Sequence, residues 1–227
     1  FRRVLFRSTN PIDFGLPGNG RATAFPSCPK QLGLYAVLPS ADWVARMAQG
    51  GVPTLQLRFK SDDRRAVERE VKAAVAAVQG TPSLLFINDH WAQAIEHGAY
   101  GVHLGQEDLS TAPTERIRLA GLRLGLSTHG YAEMIRAESF GPSYLALGAV
   151  FPTTLKRMKT APQGLGRLHA YARLMRHHSL VAIGGIDMAS LPHVMRSGVG
   201  SVAVVRAITG APDPIAAAHA LQEHMRA

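Results

Sequence analysis

Cysteine is nearly absent from the 227 residues: Cys28 stands alone, so the chain closes no internal disulfide and offers no thiolate pair to a metal cluster. Its neighbour Pro29 puts it in a loop-like stretch, which argues against a nucleophilic role. Aromatic residues make up only 7%, too few for the stacking platforms that nucleic-acid modules interleave with basic stripes. No apolar run approaches the roughly 20 residues of a membrane helix, and no apolar stretch with a signal cleavage site stands at the start. A soluble, cytoplasmic protein that binds neither nucleic acid nor membrane is expected. Histidine is plentiful, with ten residues, yet none forms an HxxxH motif or a His/Cys cluster of zinc type.

What is present favours one large domain. A hydrophobic fraction of 46% and a charged fraction of 18% allow a sizeable core. The formal charge of +9 is compatible with a polyanion, a membrane surface or a small acidic substrate, and its placement matters. Residues 1–30 hold Arg2, Arg3, Arg7, Arg21 and Lys30 against Asp13 alone, in a segment without periodicity. The stretch 1–25 begins without methionine and reads as an unstructured or non-native tail, leaving 26–227 for the fold.

From there β-rich runs alternate with amphipathic segments. GLYAVL (33–38) precedes a helix near 41–50, TLQLRFK (54–60) one near 63–79, SLLFIND (83–89) one near 90–98, and GVHLG (101–105) one near 114–120. RLGLST (123–128), YLALGAV (144–150), LVAIGGI (180–186) and SVAVVRAI (201–208) continue the pattern, with helices near 131–139, 165–178, 188–197 and 213–226. About eight strand-helix units predict an α/β fold, a single-domain (β/α)₈ TIM barrel. An open doubly wound sheet is the alternative, but no Gly-rich dinucleotide turn follows the first strand.

In TLQLRFK, Leu55, Leu57 and Phe59 alternate with Gln56, Arg58 and Lys60. On a sheet with one wet face that stripe would be ordinary, but a closed barrel leaves no strand such a face, and its carboxyl ends form the active-site mouth. The three polar residues therefore read as a cradle for an anion. Asp89 ends the third strand and Asp108 follows the fourth, so parallel neighbours about 4.8 Å apart can bring both to one hard cation such as Mg²⁺. Capping of the next helix is the alternative for each. His103 reads as structural and His129 as a residue lining the site; neither is taken as a base. FPTTLKRMKTAPQG (151–164) is long enough for a lid, with Thr153, Thr154, Lys156, Arg157 and Lys159 to meet an anion. Gly184 and Gly185, with Val205 and Arg206, fall where such barrels often hold a phosphate.

The motifs QLRFK, FIND, GVHLGQEDL, GLSTH, FPTTLKRMKTAPQGL, AIGGI and GVGSVAVVRAIT resemble, in order, those of bacterial thiamine-phosphate synthases, over roughly residues 32–226. The resemblance implies a (β/α)₈ transferase that joins hydroxymethylpyrimidine diphosphate to a thiazole phosphate, or its carboxylated form, with Mg²⁺, releasing diphosphate. It places the pyrimidine diphosphate along Gln56, Leu57, Arg58, Phe59 and Lys60, with Asn88 and Lys156, and Mg²⁺ on Asp89 and Asp108. Ser127 would face the pyrimidine; Thr153, Thr154, Leu155, Gly185, Val205 and Arg206 would lie against the thiazole phosphate. Arg58, Lys60, Lys156 and Ser127 would carry the catalysis. Leu155 replaces the family's second loop threonine, and Arg206 stands where serine is usual. The same fold also hosts a thiazole tautomerase, which needs an acid/base residue and no metal, and the +9 charge suits a non-catalytic binder of thiamine phosphate or a polyanion. The two carboxylates and the QLRFK cradle favour the synthase.

Overall fold

The computed structural model describes residues 24–153 and 161–226. Its elements alternate as expected: β1 (Gly33–Leu38), α1 (Ala41–Gln49), β2 (Thr54–Leu57), α2 (Arg64–Val78), β3 (Leu84–Asn88), α3 (Trp91–His97), β4 (Gly101–Leu104) and α4 (Thr114–Leu119). They continue with β5 (Arg123–Thr128), α5 (Tyr131–Glu138), β6 (Tyr144–Leu147), α6 (Gly164–Leu174), β7 (Leu180–Ile183), α7 (Leu191–Met195), β8 (Ser201–Val204), α8 (Arg206–Thr209) and α9 (Pro214–Arg226). Every strand pairs in parallel with its neighbour in chain order, and β1 pairs with β8, Tyr35 opposite Ala203, which closes the ring. The architecture is the (β/α)₈ barrel; the open sheet is excluded by that last ladder. None of the helices described is long and apolar enough to cross a membrane.

Local chemistry starts the helices on the solvent side of each turn. The Ser40 hydroxyl accepts from the Trp43 N–H, and the Asp63 carboxylate accepts from the Arg65 N–H at 2.8 Å, satisfying first-turn donors that the helix itself cannot. Each helix then lays an apolar stripe on the barrel, as with Val67, Val71 and Ala74 of α2, against outward strand residues such as Leu55, Leu57, Leu85 and Ile87.

The inward residues form a separate core of Leu32, Tyr35, Val37, Phe86, Tyr144, Ala146, Val181 and Ala203. Two of its three aromatic rings, Tyr144 and Phe86, fit there because glycines face them. A Cβ on Gly125 would lie 2.1 Å from Tyr144 Cζ, and one on Gly101 would lie 2.5 Å from Phe86 Cε1. Below this core the segment before β1 plugs the amino-terminal end of the barrel: the hydroxyls of Ser143, Ser179 and Thr54 donate to the carbonyls of Pro26, Pro29 and Leu32. Cys28 sits in that plug, and burial raises its thiol pKa, the opposite of what a nucleophile needs.

Two expectations change. Phe25, placed in the tail by its sequence, is 7% exposed, packs into the outer core and donates its N–H to the Gly141 carbonyl at 2.9 Å, so the fold reaches back at least to Ala24. Strands expected at 54–60, 144–150, 180–186 and 201–208 are shorter at their carboxyl ends. Apolar residues beyond those ends, Phe59, Val150 and Ile186, keep packing on the outer core, and Val150 still donates its N–H to the Ile183 carbonyl at 2.9 Å, so hydrophobic pattern outlasts the regular strand.

Gly125→Ala is therefore expected to destabilise the protein by about 1–3 kcal/mol or more through overpacking against Tyr144. Gly166→Ala, on an open part of α6 with nothing within 4 Å, should be neutral or stabilising by about 0.5–1 kcal/mol. Urea unfolding of both variants checks the contrast.

Candidate active site

A cavity of about 820 Å³ opens at the carboxyl ends of the strands, within the range of sites that enclose small ligands. The strand alternation builds it. Gln56 is the last inward residue of β2, and Arg58 and Lys60 follow at the rim, all three lining the cavity. Leu57, 1% exposed, and Phe59 turn the other way and pack on the outer core. Their side chains do not line the cavity, which corrects their place beside the anion; the Phe59 carbonyl is engaged by His90 Nε2 at 3.0 Å. Gln56 sits deeper than a rim residue, with its amide nitrogen donating to the Tyr35 hydroxyl at 3.0 Å.

Asn88 ends β3, and Asp89 prolongs the ladder by donating its N–H to the His103 carbonyl at 3.0 Å. Asp89 has a left-handed backbone, φ 63°, uncommon outside glycine but among the conformations aspartate tolerates, and its carboxylate meets Lys60 Nζ at 2.5 Å. No side chain caps α3, so the capping alternative fails for Asp89. Asp108 accepts from the Gly105 N–H at 3.2 Å, which ties it to its own turn. Burial, and then the charge of Asp89, push the Asp108 carboxyl above the ordinary range, against the opposing pull of Gly105 and Lys60. Two carboxylates that repel across one mouth are a donor set suited to a hard divalent cation, which usually keeps several waters and takes few protein ligands.

On the far side Ser127 lines the cavity with His103 behind it, His103 Nε2 lying 2.8 Å from Ser127 Oγ and His103 Nδ1 lying 2.7 Å from the Tyr144 hydroxyl. His103 is thus more than a core residue. Its inward parity with Gly101 was the available signal. His129 also lines the cavity, with Nδ1 2.8 Å from a Glu133 carboxylate oxygen.

Thr153, Gly185, Val205 and Arg206 line the remaining wall. Gly185 has φ 66°, and a Cβ there would lie 2.6 Å from the Pro152 carbonyl oxygen, so glycine is required where the loops after β6 and β7 cross. Arg206 opens α8, is exposed, and forms no ion pair with any of the described residues. Thr154, Leu155 and Lys156, with Arg157 and Lys159, lie outside the described residues. Asp187, just past AIGGI, and Thr209, the last residue of GVGSVAVVRAIT, also line the wall, though the sequence reading assigns neither a role; the Ser190 N–H holds the Asp187 carboxyl below its ordinary pKa.

The thiamine monophosphate synthase family model matches residues 34–208. A thiamine-phosphate synthase of Neisseria meningitidis serogroup B is 53% identical over 198 residues, spanning 87% of this chain and 97% of that protein. One from Cronobacter sakazakii is 53% identical over 189 residues, 83% of this chain and 90% of its own length. The structure of a thiamine phosphate pyrophosphorylase from Pyrococcus furiosus superposes with a TM-score of 0.75 at 29% identity, covering 86% of this chain and 96% of that one.

The paired carboxylates carry a stability signature. Because Asp108 has a raised pKa in the fold, the folded state binds more protons than the unfolded one between the ordinary and the raised value, so this group's contribution falls as pH rises through that window. Asp108→Asn can keep the Gly105 hydrogen bond and removes the charge. In EDTA at neutral pH the variant should have a higher Tm than the wild type, and the Tm rise that Mg²⁺ gives the wild type should vanish. A wild-type Tm indifferent to Mg²⁺ would count against a cation on these carboxylates.

Proposed function

The chain belongs to the thiamine monophosphate synthase family, and from that premise we propose the reaction its cavity runs: hydroxymethylpyrimidine diphosphate and thiazole phosphate, or its carboxylated form, condense to thiamine phosphate and diphosphate. The observation that carries the reading is the rim, where Arg58 and Lys60 face a pair of carboxylates across one mouth.

The CH₂–O bond of the pyrimidine diphosphate breaks first. The electron-rich aminopyrimidine delocalises the positive charge left on carbon, and the departing diphosphate gathers negative charge. Arg58 and Lys60 line the mouth where that charge grows, the placement that lowers a barrier most, and the family resemblance assigns Lys156 to the same diphosphate. The Lys60–Asp89 pair has its lysine side chain 56% exposed, so it is weak and leaves Lys60 free to turn to the diphosphate. Mg²⁺ held by Asp89 and Asp108 would supply further charge neutralisation to the leaving group. Asn88 offers an amide beside them. Ser127 meets the pyrimidine from the opposite wall.

The thiazole nitrogen then attacks the carbon with its lone pair. It has no proton to lose, so no general base is needed; His103 is held by Tyr144 and Ser127, and His129 by Glu133. The thiazole phosphate lies against Thr153, Thr154, Gly185 and the Val205–Arg206 pair. Arg206, with no acid bound to it among the described residues, forks onto that phosphate and makes up for the hydroxyl missing at Leu155. A tautomerase on this fold would leave the carboxylate pair and the cationic rim without a task.

Incubation with both substrates and Mg²⁺ should release thiamine phosphate and diphosphate in equal amounts. Arg58→Ala is expected to cut turnover by about 100-fold to 1,000-fold, read in single-turnover experiments. A loss confined to KM would mean that the cation only binds the ground state. Arg206→Ser should raise KM for the thiazole phosphate and leave that for the pyrimidine diphosphate unchanged, with partial recovery on adding Leu155→Thr. An unchanged thiazole KM would return Arg206 to the surface.

A further inference from the structure

Beneath the cavity runs a line of hydrogen bonds that the proposed reaction does not use. The Gln56 amide nitrogen lies 3.0 Å from the Tyr35 hydroxyl, that hydroxyl 2.7 Å from the Tyr144 hydroxyl, Tyr144 2.7 Å from His103 Nδ1, and His103 Nε2 2.8 Å from Ser127 Oγ. The two tyrosines are fully buried and come from opposite sides of the barrel, their rings 5.8 Å apart.

We propose that this line is a one-way hydrogen-bond relay that fixes Ser127 as a proton donor to the cavity's ligand, with Tyr144 as the positioning residue that sets its direction.

The direction follows from which atoms can donate. An amide nitrogen only donates, so Tyr35 accepts from Gln56. Among the described residues the Tyr35 hydroxyl has only Gln56 and Tyr144 as hydrogen-bonding partners, and a buried hydroxyl left without an acceptor is costly, so its own proton goes to Tyr144. Tyr144 in turn gives its proton to His103 Nδ1. Burial raises the pKa of both phenols, so each keeps one proton to pass on. A neutral imidazole whose Nδ1 accepts carries its hydrogen on Nε2, aimed at Ser127 Oγ. Ser127 accepts there, and its own hydrogen is left for the cavity.

Two consequences separate this from a generic polar core. First, a serine 2.8 Å from a histidine has the look of a nucleophile and its base, but a base needs a bare Nε2, and here that nitrogen is protonated. Ser127 is thereby barred from nucleophilic chemistry. Second, the ligand atom opposite Ser127 must be a lone-pair acceptor, which in an aminopyrimidine is a ring nitrogen. That identity rests on the proposed reaction; the direction of the relay does not.

The test reads the histidine directly. In protein labelled with ¹⁵N-histidine, long-range ¹H–¹⁵N correlation spectra, with His103 assigned by its loss in His103→Gln, should show the Nε2–H tautomer at neutral pH without substrate. Tyr144→Phe removes the donor to Nδ1 and should release His103 into a mixture of tautomers. Tyr35→Phe deletes a hydroxyl from the same buried line but keeps that donor, so the Nε2–H tautomer should persist. A wild-type Nδ1–H tautomer would mean the relay runs the other way and would overturn the proposal, whether or not either variant folds. Equal tautomer changes in both variants would also overturn it, since packing alone would then explain them. With both substrates and Mg²⁺, Tyr144→Phe should slow single turnover about 10-fold to 100-fold while KM for the thiazole phosphate holds. Unchanged turnover would overturn the positioning role, whereas a wild type that makes no thiamine phosphate would refute the reaction and leave the tautomer result to decide the relay.

Discussion

Closing eight strands into a ring leaves an interior that only side chains can fill, and each strand turns every second residue into it. The choice of those residues decides everything above. Tyr144 fills the middle of the ring because Gly125 leaves its ring room, and its fully buried hydroxyl then needs partners from the protein. Tyr35 and His103 supply them. The tyrosines of that layer hold Gln56 and His103, which do line the cavity, so the packing that stabilises the barrel also fixes where these polar groups meet a ligand.

Above that floor the titratable side chains are mostly spoken for. His103 is held between Tyr144 and Ser127, His129 is paired with Glu133, and Asp187 is fixed by Ser190. Groups held in this way are poor at exchanging protons but good at presenting fixed charges and dipoles. That suits a reaction in which an anion leaves and a lone pair attacks, and it disfavours chemistry that needs a mobile proton.

Much of this was legible in the sequence, for reasons that also mark the limits. The strand-helix alternation is carried by hydrophobic pattern, and with it the parity that turns Gln56, Arg58 and Lys60 inward and Leu57 and Phe59 outward; reading QLRFK as one block of contacts obscured that last distinction. The carboxylates were legible because a strand end is a short-range feature. The tyrosine pair was not. Tyr35 and Tyr144 are 109 residues apart and each sits in an apolar run, where an aromatic looks like filler, and only the stagger of the closed barrel brings their hydroxyls together. Phe25 escaped because a single buried ring in an aperiodic stretch leaves no pattern.

Charge is distributed less simply than the total of +9 suggests. Among the described residues that line the cavity, Arg58, Lys60 and Arg206 are outnumbered by Asp89, Glu107, Asp108 and Asp187. A site with one more carboxylate than cation does not by itself attract a diphosphate, however basic the outer surface, because charges more than about 10 Å away are largely screened at physiological salt. A divalent cation on Asp89 and Asp108 would invert that balance, and the sequence carries three further cations, Lys156, Arg157 and Lys159, between β6 and α6. On the proposed reaction such a cation would do more than assist bond breaking: it would make the mouth attractive to the substrate at all, cation and diphosphate would bind with positive coupling, and Lys60 would pass from neutralising Asp89 to neutralising the leaving group.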